Sequence, residues 1–99
     1  MIVRFHIDQF EKGSFDYRVT YEGEDLYADA GLSSIEECIN AAVDGLGQDA
    51  LGAEIAYKNV ISGTYPLASL ALMSAQIADH AENSTAAIEE LLRQPLGEP

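Results

Sequence analysis

Two segments near the N-terminus alternate between apolar and polar residues, and this pattern constrains the fold more than any other feature of the chain. The segments are residues 2–10 and 15–22, and their apolar positions are Val3, Phe5, Ile7, Phe15, Tyr17, Val19 and Tyr21. A period of two with one apolar face is typical of half-buried antiparallel strands. The turn between the segments contains Gly13, which can take a positive φ.

The two strands are expected to form a hairpin with a defined register. Pairing Ile7 with Val19 places Asp8 opposite Arg18 on the other face of the strands. A cross-strand ion pair of this kind contributes about 0.2–1 kcal/mol, which is enough to favour one register over its neighbours.

A third strand is predicted after a two-residue turn at residues 23–24, Gly-Glu. Glycine at the first of two turn positions is typical of a type II′ turn. This turn pairs Tyr21 with Leu26 and directs Leu26, Ala28 and Ala30 toward the core. The two small alanines would let a helix approach the sheet closely.

A helix over residues 34–46 is indicated by its capping signals and its apolar stripe. Ser33 with Glu36, and Ser34 with Glu37, each have the spacing of a capping box. The stripe consists of Ile35, Cys38, Ile39, Ala42, Val43 and Leu46. This spacing follows one face of an α-helix, and the glycines at positions 45 and 47 are expected to end it.

The C-terminal half predicts one more strand and a second helix. Residues 53–58 alternate and indicate a fourth strand. Residues 62–66 are interpreted as a break followed by a helix start, and the helix extends over residues 66–82. A cap among residues 83–85 is expected to begin a further helical turn or two, which reaches about Arg93.

These elements predict an α+β fold. It has a four-stranded, mainly antiparallel sheet in the order β-β-β-α-β-α, with two main helices on one face and a short C-terminal helical segment. A single domain is expected over residues 1–94, followed by a frayed tail over residues 95–99. The predicted core consists of Val3, Phe5, Ile7, Tyr17, Val19, Leu26, Ile35, Ile39, Val43, Ile55, Leu70 and Ile77.

The charge of the chain is concentrated in one segment. Between Glu22 and Tyr57 there are nine acidic residues and no Lys or Arg, within a chain of net charge −12. Such a field repels nucleic acid and anionic lipid and attracts basic partners. The chain is 47% hydrophobic, so it is not a disordered acidic tail. A single cysteine and the lack of a signal-peptide pattern favour a cytoplasmic location.

The sequence predicts no catalytic, cofactor or metal site. Zinc would need three or four His or Cys ligands, and the chain has three such residues that do not converge in the predicted fold. Cys38 lies on the apolar stripe of the first helix and is expected in the core. Arg4, His6 and Arg18 share the outer sheet face and form a candidate polar site, for which the alternative is an ordinary solvated strand surface.

Residues 67–78, with the sequence LASLALMSAQIA, carry no charge. A helix that is uncharged on every face is either buried all round or part of an interface, and the sequence leaves both alternatives open. An interface in this segment would involve self-association or a partner. The expected contributors are Tyr57, Tyr65, Leu67, Leu70, Met73 and Ile77.

The order strand, strand, strand, helix, strand over about residues 1–60, with the segment GLSSIEECINAAVDGL, resembles the HicB antitoxin family and other partial dsRNA-binding-domain-like folds. The resemblance lies in the acidic, capped helix after a three-stranded meander. The family's Pro-Asp-Leu-Pro-Gly-Cys-type segment is replaced here by LYADAGL at residues 26–32. The resemblance therefore implies a fold and transfers no functional residues.

The leading functional hypothesis is a small, acidic, non-enzymatic interaction or regulatory protein of the cytoplasm. It is expected to be a homodimer that engages a basic partner protein, without nucleic acid or membrane as partners. One alternative is an antitoxin-like or nucleic-acid-mimicking inhibitor of a basic enzyme. A second alternative is small-ligand binding or catalysis on the outer sheet face near His6.

Overall fold

The protein has an α+β fold, as predicted, but its sheet has five strands rather than four. The computed structural model describes residues 1–93. The elements are β1 (Ile2–Glu11), β2 (Ser14–Tyr21), β3 (Glu24–Leu32), α1 (Ile35–Asp44), β4 (Gly52–Tyr57), β5 (Val60–Pro66), α2 (Leu67–Leu72) and α3 (Ser74–Arg93). The predicted frayed tail over residues 95–99, with the domain boundary at residue 94, lies outside the described residues.

The sheet is mixed, with the strand order β3-β2-β1-β4-β5. Strands β1 and β4 run parallel at its centre and are joined through the crossover that contains α1, while all other neighbours are antiparallel. The helices cover one face, and the other face is open. This topology places β1 between partners from both halves of the chain.

The missed strand is β5, which follows β4 through the two-residue turn Lys58-Asn59. Both residues have positive φ angles, 51° and 67°, which a type I′ hairpin turn requires. Residues 62–66 were predicted as a break and helix start, and this interpretation was wrong. Ile55 pairs with Gly63 and Ala56 with Ile61, so Ser62 is the extra residue of a β-bulge inside the strand.

The register of the first hairpin differs from the prediction by two residues. Ile7 pairs with Tyr17, and Asp8 therefore lies opposite Asp16 rather than Arg18. The expected turn is present, and Gly13 has a φ of 77°. The shift keeps every side chain on its predicted face, since a displacement of two residues preserves the alternation.

The side chains of the third strand lie on the opposite faces of the sheet from those predicted. The turn consists of Glu22 and Gly23, both with positive φ, and a bulge at Leu26 then reverses the alternation. Tyr27 pairs with Val19 and faces α1, whereas Ala28 pairs with Arg18 on the open face. Leu26 is 45% exposed and does not belong to the core, contrary to the prediction.

Helix α1 begins at the second of its two capping signals. The Ser34 hydroxyl accepts a hydrogen bond from the Glu37 N–H at 3.1 Å, and the Ser33 hydroxyl donates to the Glu37 carboxylate at 2.6 Å. The helix ends at Gly45, as its glycine predicted. Its buried residues are Ile35, Cys38, Ile39 and Ala42.

The predicted helix over residues 66–82 is two helices, separated at Met73, which has φ −124° and ψ 28°. The second, α3, continues for 20 residues to Arg93, so the expected cap among residues 83–85 was wrong. Thr85 is instead buried inside α3, where its hydroxyl donates to the Tyr57 carbonyl at 3.2 Å. This bond ties the middle of α3 to the end of β4.

One hydrophobic core lies between the helices and the sheet. Except for Leu26 and Val43, every residue of the predicted core is buried, and Val43 is partly buried against it. The largest fully buried side chains are Phe5, Ile7, Ile39, Ile55 and Leu70. They come from β1, α1, β4 and α2, so the core depends on the central parallel pair of strands.

Candidate functional site

The open face of the sheet brings together the three residues predicted as a polar site. Arg4 and His6 alternate along β1, and Arg18 of β2 lies directly opposite His6. Arg4 and Arg18 are therefore diagonal neighbours across two strands, a position in which backbone atoms lie about 7–8 Å apart. Long side chains at such positions can reach a common ligand.

Both arginines form ion pairs through the same nitrogen. Arg4 Nε donates to the Glu54 carboxylate, and Arg18 Nε lies 3.4 Å from a carboxylate oxygen of Asp25. A guanidinium has five N–H donors, four of them on the Nη atoms. In the hydrogen bonds and ion pairs of residues 1–93, the Nη groups of these two arginines are not engaged.

The surroundings of His6 favour its uncharged form. Its Nε2 lies 2.9 Å from the Thr20 hydroxyl oxygen, and Thr20 is only 7% exposed although it is on the open face. Burial lowers the pKa of His6 below the usual 6.5, and the charges of Arg18 and Arg4 lower it further. The imidazole thus lies next to two cations, and both of them favour its uncharged form.

These residues line a groove of about 500 Å³, which we call the sheet groove. Its wall includes Arg4, His6, Arg18 and Thr20, together with the three carboxylates of Glu22, Asp25 and Glu54. Pockets that bind small molecules have volumes of roughly 300–1,000 Å³. The sheet groove therefore has the size of a ligand site and carries both signs of charge.

Sequence reasoning did not assign four of these residues to the site: Thr20, Glu22, Asp25 and Glu54. Glu54 reaches Arg4 because β4 pairs with β1 in parallel, with Arg4 and Glu54 side by side. No local pattern signals this long-range pairing. Thr20 could have been found, because it lies on the polar face of the predicted second strand beside His6 and Arg4.

A second charged surface lies on the helix side of the sheet, between β3 and α1. We call it the acidic surface and define it by Asp29, Glu37 and Asp44, all of which are exposed. Burial raises the pKa of Cys38 to about 12, with additional contributions from Asp16, Glu37 and Asp29. Burial likewise raises the pKa of Tyr17, with smaller contributions that include Asp29 and Asp44. Acids from both elements therefore converge on one region.

The residues predicted as an interface are divided between the core and the surface. Tyr57, Leu70 and Ile77 are buried, and Tyr65 and Leu67 are partly buried. Met73 is 46% exposed, and its neighbour Leu72 is 83% exposed. Three more exposed apolar residues, Ile88, Leu91 and Leu92, lie near the end of α3 and were not predicted.

No family model, curated protein or solved structure matches this chain. The order strand, strand, strand, helix, strand is present over residues 1–57, and β5, α2 and α3 follow it. Within residues 1–93, no group of three or more His, Cys, Asp or Glu side chains could hold a metal ion. Over the same range, no helix combines the length and apolar character needed to cross a bilayer.

Proposed function

We propose that this protein is a small cytoplasmic, non-enzymatic interaction module that binds a basic partner protein through the acidic surface. The supporting observation is the convergence of acids from β3 and α1 without counter-charges. Among the described residues, the salt bridges involve none of Asp29, Glu37 and Asp44. Their charge is available to a partner.

The physics of such a surface favours fast and selective association. A concentrated patch of one sign steers oppositely charged proteins into encounter, and it repels partners of like charge. The rates of association should fall with ionic strength, because the Debye length is only about 8 Å at physiological salt. This behaviour suits a regulatory protein that must find one basic target.

We include homo-oligomerisation in the proposal. Its support is the exposed apolar area at the α2–α3 junction and near the end of α3, where Leu72, Leu91 and Leu92 are 83%, 61% and 80% exposed. Sedimentation equilibrium over a wide concentration range tests this part. A strictly monomeric protein at the highest concentration removes it and leaves the partner-binding part unchanged.

The partner-binding part is tested with a matched pair of charge variants. The first neutralises the acidic surface by Asp29→Asn, Glu37→Gln and Asp44→Asn, which keep the acceptors for the Ala30 N–H and the Ser33 hydroxyl. The control neutralises three acids elsewhere, by Glu11→Gln, Asp49→Asn and Glu90→Gln. Both variants have the same net charge.

Each protein is used as bait in its native host at low salt, and the recovered proteins are identified by mass spectrometry and titrated as purified components. The proposal expects a stoichiometric basic protein with the wild type and the control, and its loss with the acidic-surface variant. Equal recovery with both variants would show that the acidic surface is not the binding site. Inhibition of an enzymatic activity of the partner would narrow the function to an antitoxin-like inhibitor.

A further inference from the structure

We propose that the sheet groove binds a small zwitterion, a molecule that carries one carboxylate group and one ammonium group. This site lies on the open face of the sheet, whereas the acidic surface lies on the helix side. The two proposals rest on different residues. Either can fail without the other.

The anionic group of the ligand would be held by the two arginines. Their Nη groups supply planar pairs of N–H donors, the geometry that matches carboxylate and phosphate oxygens. The Nε of Arg4 is already oriented by its hydrogen bond to Glu54, whereas Arg18 lies 3.4 Å from Asp25 in an exposed ion pair. The Arg4 donors are therefore partly fixed before a ligand arrives. His6 lies beside both arginines and also lines the groove, and its Nε2 is held at 2.9 Å from the Thr20 hydroxyl oxygen.

The ammonium group of the ligand would be held by Glu22. Glu22 lines the same groove and is exposed, and it forms no ion pair with any residue of the described chain. Asp25 and Glu54 add negative potential nearby, although each faces an arginine. The groove thus presents free cationic donors and a free carboxylate on one wall.

The net charge of the protein favours a zwitterion over a simple anion as the ligand of the groove. At a net charge of −12, the field of the whole chain opposes the entry of any free anion. A molecule with no net charge does no net work against that field, yet it still orients its two ends in the local potentials of the groove. The arrangement therefore favours a ligand with both signs.

The test uses a series of ω-amino acids as a molecular ruler, from glycine through γ-aminobutyrate to 6-aminohexanoate. Butyrate and butylammonium serve as probes with one charge each. The readout is the NMR signal of the two imidazole rings in the 99-residue chain. The chain has two histidines, so His80, which is exposed on α3, is an internal reference for His6.

We expect the resonance of His6 alone to shift along a saturable curve. Binding should be strongest for the amino acid of one particular chain length and weaker for butyrate. An anion between the arginines should also move the pKa of His6 upward, since it offsets their charges. Arg18→Gln should weaken binding roughly tenfold or more. The matched control Arg93→Gln removes an arginine at the end of α3 and should leave affinity unchanged.

Four results would overturn the proposal. Butyrate that binds as tightly as every amino acid would indicate a bare anion site, and butylammonium as the tightest ligand would indicate a cation site. Equal shifts of His6 and His80 would indicate a non-specific effect. No shift with any probe would exclude the site. Because these comparisons use the wild-type protein, they hold even if a variant does not fold.

Discussion

The ring of Tyr27 occupies the space that a β-carbon on Gly45 would need. A Cβ built at Gly45 would lie 2.7 Å from Cε2 of Tyr27. Gly45 has φ −86° and ψ −7°, a conformation open to any residue, so the ring and not the backbone requires glycine here. The Tyr27 hydroxyl also donates to the Ala42 carbonyl, and the pair fixes the end of α1 on the edge strand β3.

Gly45→Ala is therefore expected to destabilise the protein. Overpacking of this kind costs about 1–3 kcal/mol in the free energy of unfolding. Urea denaturation, monitored by circular dichroism, measures this loss in the free energy of unfolding. Gly47→Ala is the matched control, because a Cβ at Gly47 meets nothing within 4 Å. The double variant Gly45→Ala, Tyr27→Leu should recover part of the loss, and strictly additive effects would show that the two residues are not coupled.

Asp8 and Asp16 lie directly opposite each other on β1 and β2, and like charges in this position are destabilising. Asp8→Lys replaces the repulsion with an attraction and should raise the free energy of unfolding by about 0.2–1 kcal/mol. The gain should shrink as salt is added. Glu11→Lys changes the net charge equally and controls for it, so an equal gain in that variant would show a general charge effect instead.

His6 should make stability depend on pH. Its pKa in the folded protein is lowered, so between that value and the usual 6.5 the unfolded chain binds more protons at this residue than the folded chain. The free energy of unfolding therefore falls as the pH drops through this window. Urea denaturation between about pH 5.5 and 7.5 measures the slope, which His6→Gln should reduce. The slope should persist in His80→Gln, and an unchanged slope in His6→Gln would contradict the assignment.

Cys38 should be unreactive in the native protein. Its side chain is fully buried, and its pKa is raised to about 12, so almost no thiolate is present at neutral pH. We expect iodoacetamide near pH 8 to leave the native protein unlabelled and to label it fully in concentrated urea. Mass spectrometry after timed quenching measures this. Rapid native labelling would show that α1 opens readily.

Local pattern predicted most of the core because alternation and helical periodicity report which side of an element is buried. The first hairpin shows the limit of this information. A two-residue shift of register keeps the same faces, so Val3, Phe5 and Tyr17 are buried as expected, although the opposing pairs differ. The register follows from the two-residue turn at Lys12-Gly13 together with a bulge at Phe10, and the alternation of apolar residues does not reveal either.

The wrong strand predictions concern places where one extra residue interrupts the alternation of apolar and polar side chains. Leu26 and Ser62 each occupy a bulge, and a bulge reverses the alternation that follows it. Thr85 shows a different cause, since its hydroxyl bonds to the Tyr57 carbonyl and not to the start of a helix. For Thr85, a tertiary contact outweighed the local preference.

The candidate polar site was accessible to sequence reasoning only in part. Arg4, His6 and Arg18 were assigned to one face because they alternate with the apolar residues. Glu54 was out of reach, since its place beside Arg4 depends on a parallel pairing between residues 50 positions apart. The charge balance of the sheet groove follows from that pairing.

The central position of β1 has a consequence for how the chain is made. On the ribosome, β1, β2 and β3 emerge first and can form local hairpins at once. The second side of β1 stays unpaired until β4, which ends at Tyr57, has left the exit tunnel. Phe5 and Ile7 lack their final neighbours during that interval. The sheet can therefore be completed only after β4 has been synthesised. Until then β1, β2 and β3 form a sheet with an unpaired edge at β1, and this intermediate is the one most able to pair wrongly with other chains.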